Sequence, residues 1–379
     1  MENRPEEENP PPVDILADET GEGSDHYARL PDRLTRYAVA RHRAAAMAQY
    51  IAGLGEPDSD RAKVLRELDS CGTYLVFRHY LESDRVRLHG MRSCRQHIIC
   101  PLCAIRRGAR MLARYMERVE LVLSENPNLK AYMVTLTIKN GVDLAERFAH
   151  LQKSVQALNK TRTGSRQSSE LSKAAGGMYS YEFKRGENSG EWHPHVHAVW
   201  LCEEEPNQQA LSLDWKRITG DSYIVEVHAL YGELVDAFCE VFKYAVKFGG
   251  LPLADNWEAF GSLRRHQLIG SIGNLRGVVI PADLTDDLLD EPKWIDLLYR
   301  YIDHGGSEFG YALERETPSV TKFDTLDHET YSAEYDAAVR SENRPAPPWA
   351  ARFAPDFLPT KQPKGIEDTG AHVAVLRDS

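Results

Sequence analysis

No stretch of this 379-residue chain approaches 20 consecutive apolar residues, which excludes a membrane-spanning helix and a membrane partner of that kind. The opening segment, MENRPEEENPPPVDILADETGEGSD, lacks the apolar core of a secretory signal and is rich in proline and acid. It is expected to be disordered, and the protein cytoplasmic. No P-loop pattern is present, so no nucleotide cofactor is expected. Internal repeats are absent, and so is the regular strand–helix alternation that builds an eightfold barrel. Cysteine is sparse, with six residues in all, yet Cys71, Cys94, Cys100 and Cys103 fall close together.

A basic net charge is also lacking. The total is −11, which at first argues against a nucleic-acid partner. The charge is unevenly placed. Residues 1–25 carry −8 and residues 281–379 carry −10, leaving +7 on residues 26–280. A basic body between acidic ends is compatible with DNA binding.

The most informative stretch is EWHPHVHAVW, residues 191–200. A β-strand points alternate side chains to one face, so His193, His195 and His197 share a side. Each neutral imidazole offers a nitrogen lone pair, and three with period 2 read as a platform for a divalent metal rather than as packing. His195 and His197 are the expected ligands, with His193 auxiliary. The preceding strand, MYSYEF (178–183), is joined to this one by a turn around GENSG (186–190). If the hairpin closes near residue 188 or 189, Glu182 falls on the same face and becomes the candidate third ligand; otherwise it is a strand-edge charge facing solvent. Two imidazoles and one carboxylate leave positions open and suit Mg²⁺ or Mn²⁺.

Some fifty residues later, AFCEVFKYAVKFG (237–249) has helical periodicity, with Phe238, Val241, Ala245 and Phe248 on one stripe. Glu240, Tyr244 and Lys247 form a second stripe at the rim of the first. A tyrosine with a carboxylate one turn before it and a lysine one turn after it is a coherent phosphoryl-transfer set. Tyr244 would be the nucleophile, Lys247 would favour the phenolate or stabilise phosphate charge, and Glu240 could deprotonate water.

Clustered cysteines in a cytosolic chain favour zinc over disulfides, and C-P-L-C (100–103) is a chelating turn. Cys71 and Cys94 complete a set of four, with His97 able to substitute for one, so the fourth ligand stays open. Cys202 and Cys239 read as small buried residues. A strong amphipathic helix follows, AIRRGARMLARYMERVELVLSEN, in a region whose arginines far outnumber its acids. Arg106, Arg107, Arg110 and Arg114 are expected to meet DNA phosphates. Residues 34–53 read as a basic amphipathic helix ending near Gly53, and residues 261–278 as a basic closing segment in which Arg264 and Arg265 face DNA.

Taken in order, YMVTLTIKN (132–140), WHPHVHAVW (192–200) and Glu240-x-x-x-Tyr244-x-x-Lys247 resemble the three motifs of the HUH endonucleases, specifically the rolling-circle replication initiators of small bacterial plasmids. The block CRQHIICPLCAIRR is similar to a cysteine block of the same initiators, and the likeness covers roughly residues 70–280. It implies an α+β fold with a central antiparallel sheet flanked by helices, preceded by a zinc-binding helical region. It also implies nicking of origin DNA, single-stranded or in a hairpin, through a 5′-phosphotyrosine, and a 3′-OH that a polymerase extends. The glutamate in place of a second tyrosine implies that hydrolysis ends the reaction. Host helicase, single-strand-binding protein and DNA polymerase are the implied partners.

The expected organisation is a disordered acidic segment (1–28), a helical cysteine-rich DNA-binding region (29–125), a catalytic domain (126–280), an acidic helical extension (281–340) and a proline-rich tail (341–379). Within the extension, residues 284–303 read as one or two acidic amphipathic helices. Two other functions fit parts of the pattern. A zinc-dependent DNA-binding regulator would bind the origin without cutting it. An H-x-H metal hydrolase would need ligands from several strand ends of a βα barrel.

Overall fold

Two antiparallel sheets, one of five strands and one of four, order this chain. The computed structural model describes residue 19 and residues 23–163, 169–186, 189–230, 238–239, 241–242, 251–306 and 308–319. These all lie within one compact unit, Met1–Asp324; the second unit, Thr325–Ser379, falls outside the described residues.

The chain begins with helix α1 (Leu30–Ala52), where Pro31 sits in the first turn and Tyr37, Ala40, Ala44, Met47 and Ile51 are buried. As the sequence suggested, the helix stops at Gly53, whose N–H bonds the Gln49 carbonyl at 3.0 Å. Helix α2 (Ser59–Ser70) is capped by Asp58, which accepts from the Arg61 N–H. A hairpin follows, β1 (Tyr74–Tyr80) and β2 (Arg85–Met91), and then the long helix α3 (Pro101–Glu125). The region expected to be helical thus also contains two strands, the first of them (YLVFRHY) rich in aromatic residues.

Strand β3 (Lys130–Thr137) leads to helix α4 (Leu144–Thr161), whose Leu144, Phe148, Leu151, Val155 and Leu158 are all buried on the anticipated stripe. The hairpin β4 (Ala174–Arg185) and β5 (Trp192–Cys202) comes next. Helix α5 (Gln208–Thr219), strand β6 (Val225–Ala229), helix α6 (Leu253–Leu263) and strand β7 (Ile269–Gly273) follow. These strands form a five-stranded sheet in the order β6-β3-β5-β4-β7, antiparallel throughout. The architecture is α+β, and an antiparallel sheet is not the scaffold that a βα-barrel hydrolase requires.

The expected helices over 284–303 are a misreading. Residues 294–303 form strand β8 (Trp294–Asp303), which pairs with β1 and with β9 (Phe309–Pro318) in a second sheet of order β2-β1-β8-β9. Ile295, Leu297, Tyr299 and Tyr301 alternate along β8. Phe77 of β1 meets Tyr299 edge-on, with ring centroids 6.1 Å apart. The acidic N-terminal segment also departs from expectation where it is described. Glu19 is buried, and Asp25 bonds Arg87 at 2.7 Å.

In the five-stranded sheet, Phe148 of α4 packs on Tyr181 and Phe183, at centroid distances of 5.3 and 5.6 Å. Helix α4 therefore covers the odd-numbered face of β4. Glu182 and the residues level with it point to the other face.

Candidate functional site

The β4–β5 hairpin pairs Glu182 directly with His195 and Ser180 with His197, while β3 sets Thr137 against His195 and Thr135 against His197. Paired residues share a face, so one carboxylate and two imidazoles meet in the middle of the sheet. The Glu182 Oε2 atom lies 3.3 Å from His195 Nε2 and 3.5 Å from His197 Nε2. The imidazole rings stand at 89° with centroids 4.9 Å apart. Glu182 and His195 are buried and His197 is partly open, which leaves the group one approach from solvent.

Hydrogen bonds fix what these atoms offer. His195 Nδ1 faces the His193 carbonyl at 3.3 Å, an acceptor, so that nitrogen must carry a proton. In the neutral ring Nε2 then presents a lone pair towards the Glu182 carboxylate. Two sets of lone pairs facing each other repel, and a cation between them removes the conflict. His197 Nδ1 is held by the Thr135 hydroxyl at 3.2 Å, the kind of outer contact that orients a metal-binding imidazole. Cis ligands of an octahedral ion with bonds of about 2.1 Å lie about 3 Å apart, close to the observed separations. Ser180, fully buried beside His197, has a hydroxyl with no hydrogen-bond partner among the described residues, as expected where an ion's water would sit. The residues therefore fit a divalent metal.

His193 lies one step along the same face. Its Nδ1 is 2.7 Å from Asn140 Oδ1, and its ring centroid is 5.4 Å from that of His195. Burial lowers its pKa, with the His195 ring and the Lys184 ammonium adding to the effect.

The second candidate centre joins three elements. Cys71 follows α2, Cys94 follows β2, and Cys100 and Cys103 open α3. Sulfur separations are 3.6 Å for Cys71–Cys100, 3.5 Å for Cys71–Cys103 and 3.6 Å for Cys94–Cys103. A tetrahedral site with metal–sulfur bonds of about 2.3 Å has edges of about 3.8 Å, and a disulfide would need about 2.05 Å. All four cysteines are free and buried. The Cys100 sulfur pushes Cys94 and Cys103 well above the usual thiol range, while Cys103, Cys71 and Cys94 together push Cys100 well below it. The start of α3 adds its dipole to the case for thiolate there. Gly72, beside Cys71, has φ +66°, and a Cβ on it would come within 2.5 Å of Leu102. His97 stands outside the sulfur group; burial and the charge of Arg107 push it down to about 4.

The replication protein family model matches residues 85–288, more than half of the chain. The chain belongs to this family. It is 24% identical over 145 residues to a Protein rep of Streptococcus pneumoniae serotype 2, covering 38% of this chain and 43% of that protein. Over 160 residues it is 22% identical to a Protein rep of Lactiplantibacillus plantarum, covering 41% and 49%. The matched part thus spans about half the length of either relative. No solved structure matches the chain significantly. The likeness to replication initiators seen in the motifs holds at the level of the family.

Three of the four α3 arginines expected to meet phosphate, Arg106, Arg110 and Arg114, pair with carboxylates instead. Arg106 is 1% exposed. Its guanidinium donates to Asp286, to Glu19 at 3.3 Å, to the Tyr37 hydroxyl at 3.0 Å and to the Leu284 carbonyl at 2.8 Å. Arg110 is buried and pairs with Asp287 at 3.0 Å, and Arg114 bonds Asp287 and Glu117. Acids from the 283–287 loop thus occupy the groups expected to meet phosphate. Arg107 and Arg265 are exposed, while Arg264 pairs with Asp60 at 3.4 Å and lies over the Phe260 ring.

Glu240, Tyr244 and Lys247 lie outside the described residues. Their helical neighbours Phe238, Cys239, Val241 and Phe242 are fully buried, and the Phe242 ring meets Tyr115 of α3 at 5.7 Å. The sequence reading assigned no chemistry to Thr135, Asn140 or Ser180. Counting register across three strands would have found Thr135 and Ser180, because both sit opposite His197. No described helix is long and apolar enough to cross a membrane.

Proposed function

We propose that this chain initiates rolling-circle replication by nicking one strand of origin DNA with Tyr244 as nucleophile. The observation that carries the reading is the convergence of Glu182, His195 and His197 on one sheet face, in a chain of the replication protein family. These three side chains would hold Mg²⁺ or Mn²⁺, which when bound withdraws negative charge from the scissile phosphate. The Thr135 hydroxyl and the His193 carbonyl keep both imidazoles turned towards it.

The Tyr244 phenol oxygen attacks phosphorus in line and the bond from phosphorus to the 3′ oxygen breaks. The phenol gives up one proton and the leaving oxygen takes one up. The products are a 5′-phosphotyrosine and a free 3′-OH, the substrate of a host DNA polymerase working with a helicase and a single-strand-binding protein. Lys247 favours the phenolate. After one circuit Glu240 removes a proton from water, which cuts the regenerated origin to a 3′-OH and a 5′-phosphate; the new 3′-OH then attacks the phosphotyrosine, breaking the bond from phosphorus to the Tyr244 oxygen, returning a proton to it and closing the displaced strand. Cys71, Cys94, Cys100 and Cys103 would hold Zn²⁺, fixing the start of α3 against α2 and β2.

A labelled single-stranded oligonucleotide carrying the origin tests the reading. The wild-type protein with Mg²⁺ or Mn²⁺ is expected to cut it and to leave a covalent adduct that Tyr244→Phe does not form. An adduct of undiminished yield in Tyr244→Phe removes Tyr244 from its role. Origin binding with no cleavage would make the protein a DNA-binding regulator instead.

A further inference from the structure

One row beyond Glu182 and His195, the same sheet face carries a second set of side chains that the nicking chemistry above does not use. Lys184 is directly opposite His193 in the β4–β5 register, two residues along from the Glu182–His195 pair on both strands. Two residues of a strand advance about 6.6 Å, the reach of one extended nucleotide step. On the β3 side, Asn140 holds the His193 ring through Nδ1. Lys184 and His193 form a tier parallel to that of Glu182, His195 and Thr137, and Asn140, three residues past the end of β3, sits at its edge.

The neighbouring cation shows by contrast what Lys184 is not doing. Arg185 projects to the opposite face, where it pairs with Asp255 at 2.7 Å and Glu258 at 2.9 Å and lies 3.9 Å over the Trp192 ring. Lys184 is exposed and has no ion pair among the described residues. An ammonium beside an imidazole, at the open end of a site that takes one phosphodiester, offers charge and hydrogen-bond donors to the next phosphodiester along the strand.

We infer that Lys184, with His193 beside it, binds the phosphodiester adjacent to the scissile one and so sets the register in which single-stranded DNA crosses the sheet. The inference rests on the nicking function proposed above. Lys184 is a positioning residue and touches no reacting atom.

The experiment uses the full-length protein and oligonucleotides bearing the mapped cleavage site, each with one neutral methylphosphonate linkage at a different position. For the wild-type protein, neutralising one of the two linkages flanking the scissile bond is expected to lower kcat/KM about tenfold, chiefly through KM. Lys184→Gln should show the same loss on unmodified DNA and no further loss at that linkage, and Lys184→Arg should recover most of it. Independent, multiplying losses, or a Lys184→Gln protein that nicks unmodified DNA like wild type, overturn the inference while leaving the nicking function intact. If the wild-type protein cuts no linkage at all, the parent reading falls and this one with it.

Discussion

Replacing Arg106 by methionine separates two roles for one side chain, internal ion pair and DNA contact. In the structure its guanidinium joins Glu19, Tyr37, Leu284 and Asp286, and Arg33 braces the same acids through Glu19 at 3.2 Å and Asp286 at 2.9 Å. Removing one partner from a buried pair leaves an uncompensated charge and costs about 3–5 kcal/mol. Arg33 and the Leu88 N–H, 2.6 Å from Asp286, still compensate in part, so the lower half of that range is expected. With an unfolding entropy of about 2.1 cal/mol/K per residue over 379 residues, the melting temperature should fall by roughly 4–5 °C. Burial alone would raise the carboxyl pKa values of Glu19 and Asp286, but Arg106 and Arg33 overcome it and hold both below the ordinary range. Their contribution is therefore complete above the unfolded carboxyl values, near pH 4, and is lost as pH falls through the folded ones. The gap between wild type and variant should be constant near neutrality and close in acid. A side chain that met phosphate would instead lower the salt slope of DNA binding by about one on removal. Urea melts across pH and binding titrations across salt give both readouts. A stability loss below about 1 kcal/mol, or a reduced salt slope in a fully folded variant, would refute the reasoning.

Thr135→Val removes the hydroxyl that orients His197 and should weaken metal binding about 10- to 100-fold, read by Mn²⁺ titration of the protein without DNA. Unchanged affinity would mean that Thr135 serves only the sheet. At the cysteine centre, Cys100→Ser should lower bound zinc and stability together, whereas His97→Ala should keep the wild-type zinc content by elemental analysis. Zinc lost from the His97 variant would place that imidazole among the ligands.

The candidate site was legible because its spacing is local. Histidines at period 2 and a short turn placed Glu182 within reach of His195, and the register confirms the geometry of that pairing. The buried stripes of α1 and α4 were legible for the same reason, since apolar residues at steps of three and four need no knowledge of partners. The arginines of α3 were not. Whether a guanidinium meets phosphate or an internal carboxylate depends on Asp286, 180 positions downstream of Arg106, and on Glu19 in a segment whose composition spoke for disorder. Strand β8 was misread because the acids of 283–291 supplied a helix-like charge pattern just ahead of it. Its own alternation of Ile295, Leu297, Tyr299 and Tyr301 was the better guide. Register across strands that are distant in sequence, such as Thr135 with His197, is likewise set by tertiary pairing.

Strand β8 also bears on how far the molecule can be trimmed. The family match closes at residue 288, yet β1 is hydrogen-bonded along its whole length to Trp294–Arg300. A chain cut at the family boundary would keep the histidine hairpin and the cysteines while baring seven residues of unpaired backbone beside Phe77. Such a fragment would be prone to self-association through that bare rim, so the smallest well-behaved version of this protein should reach at least to Pro318.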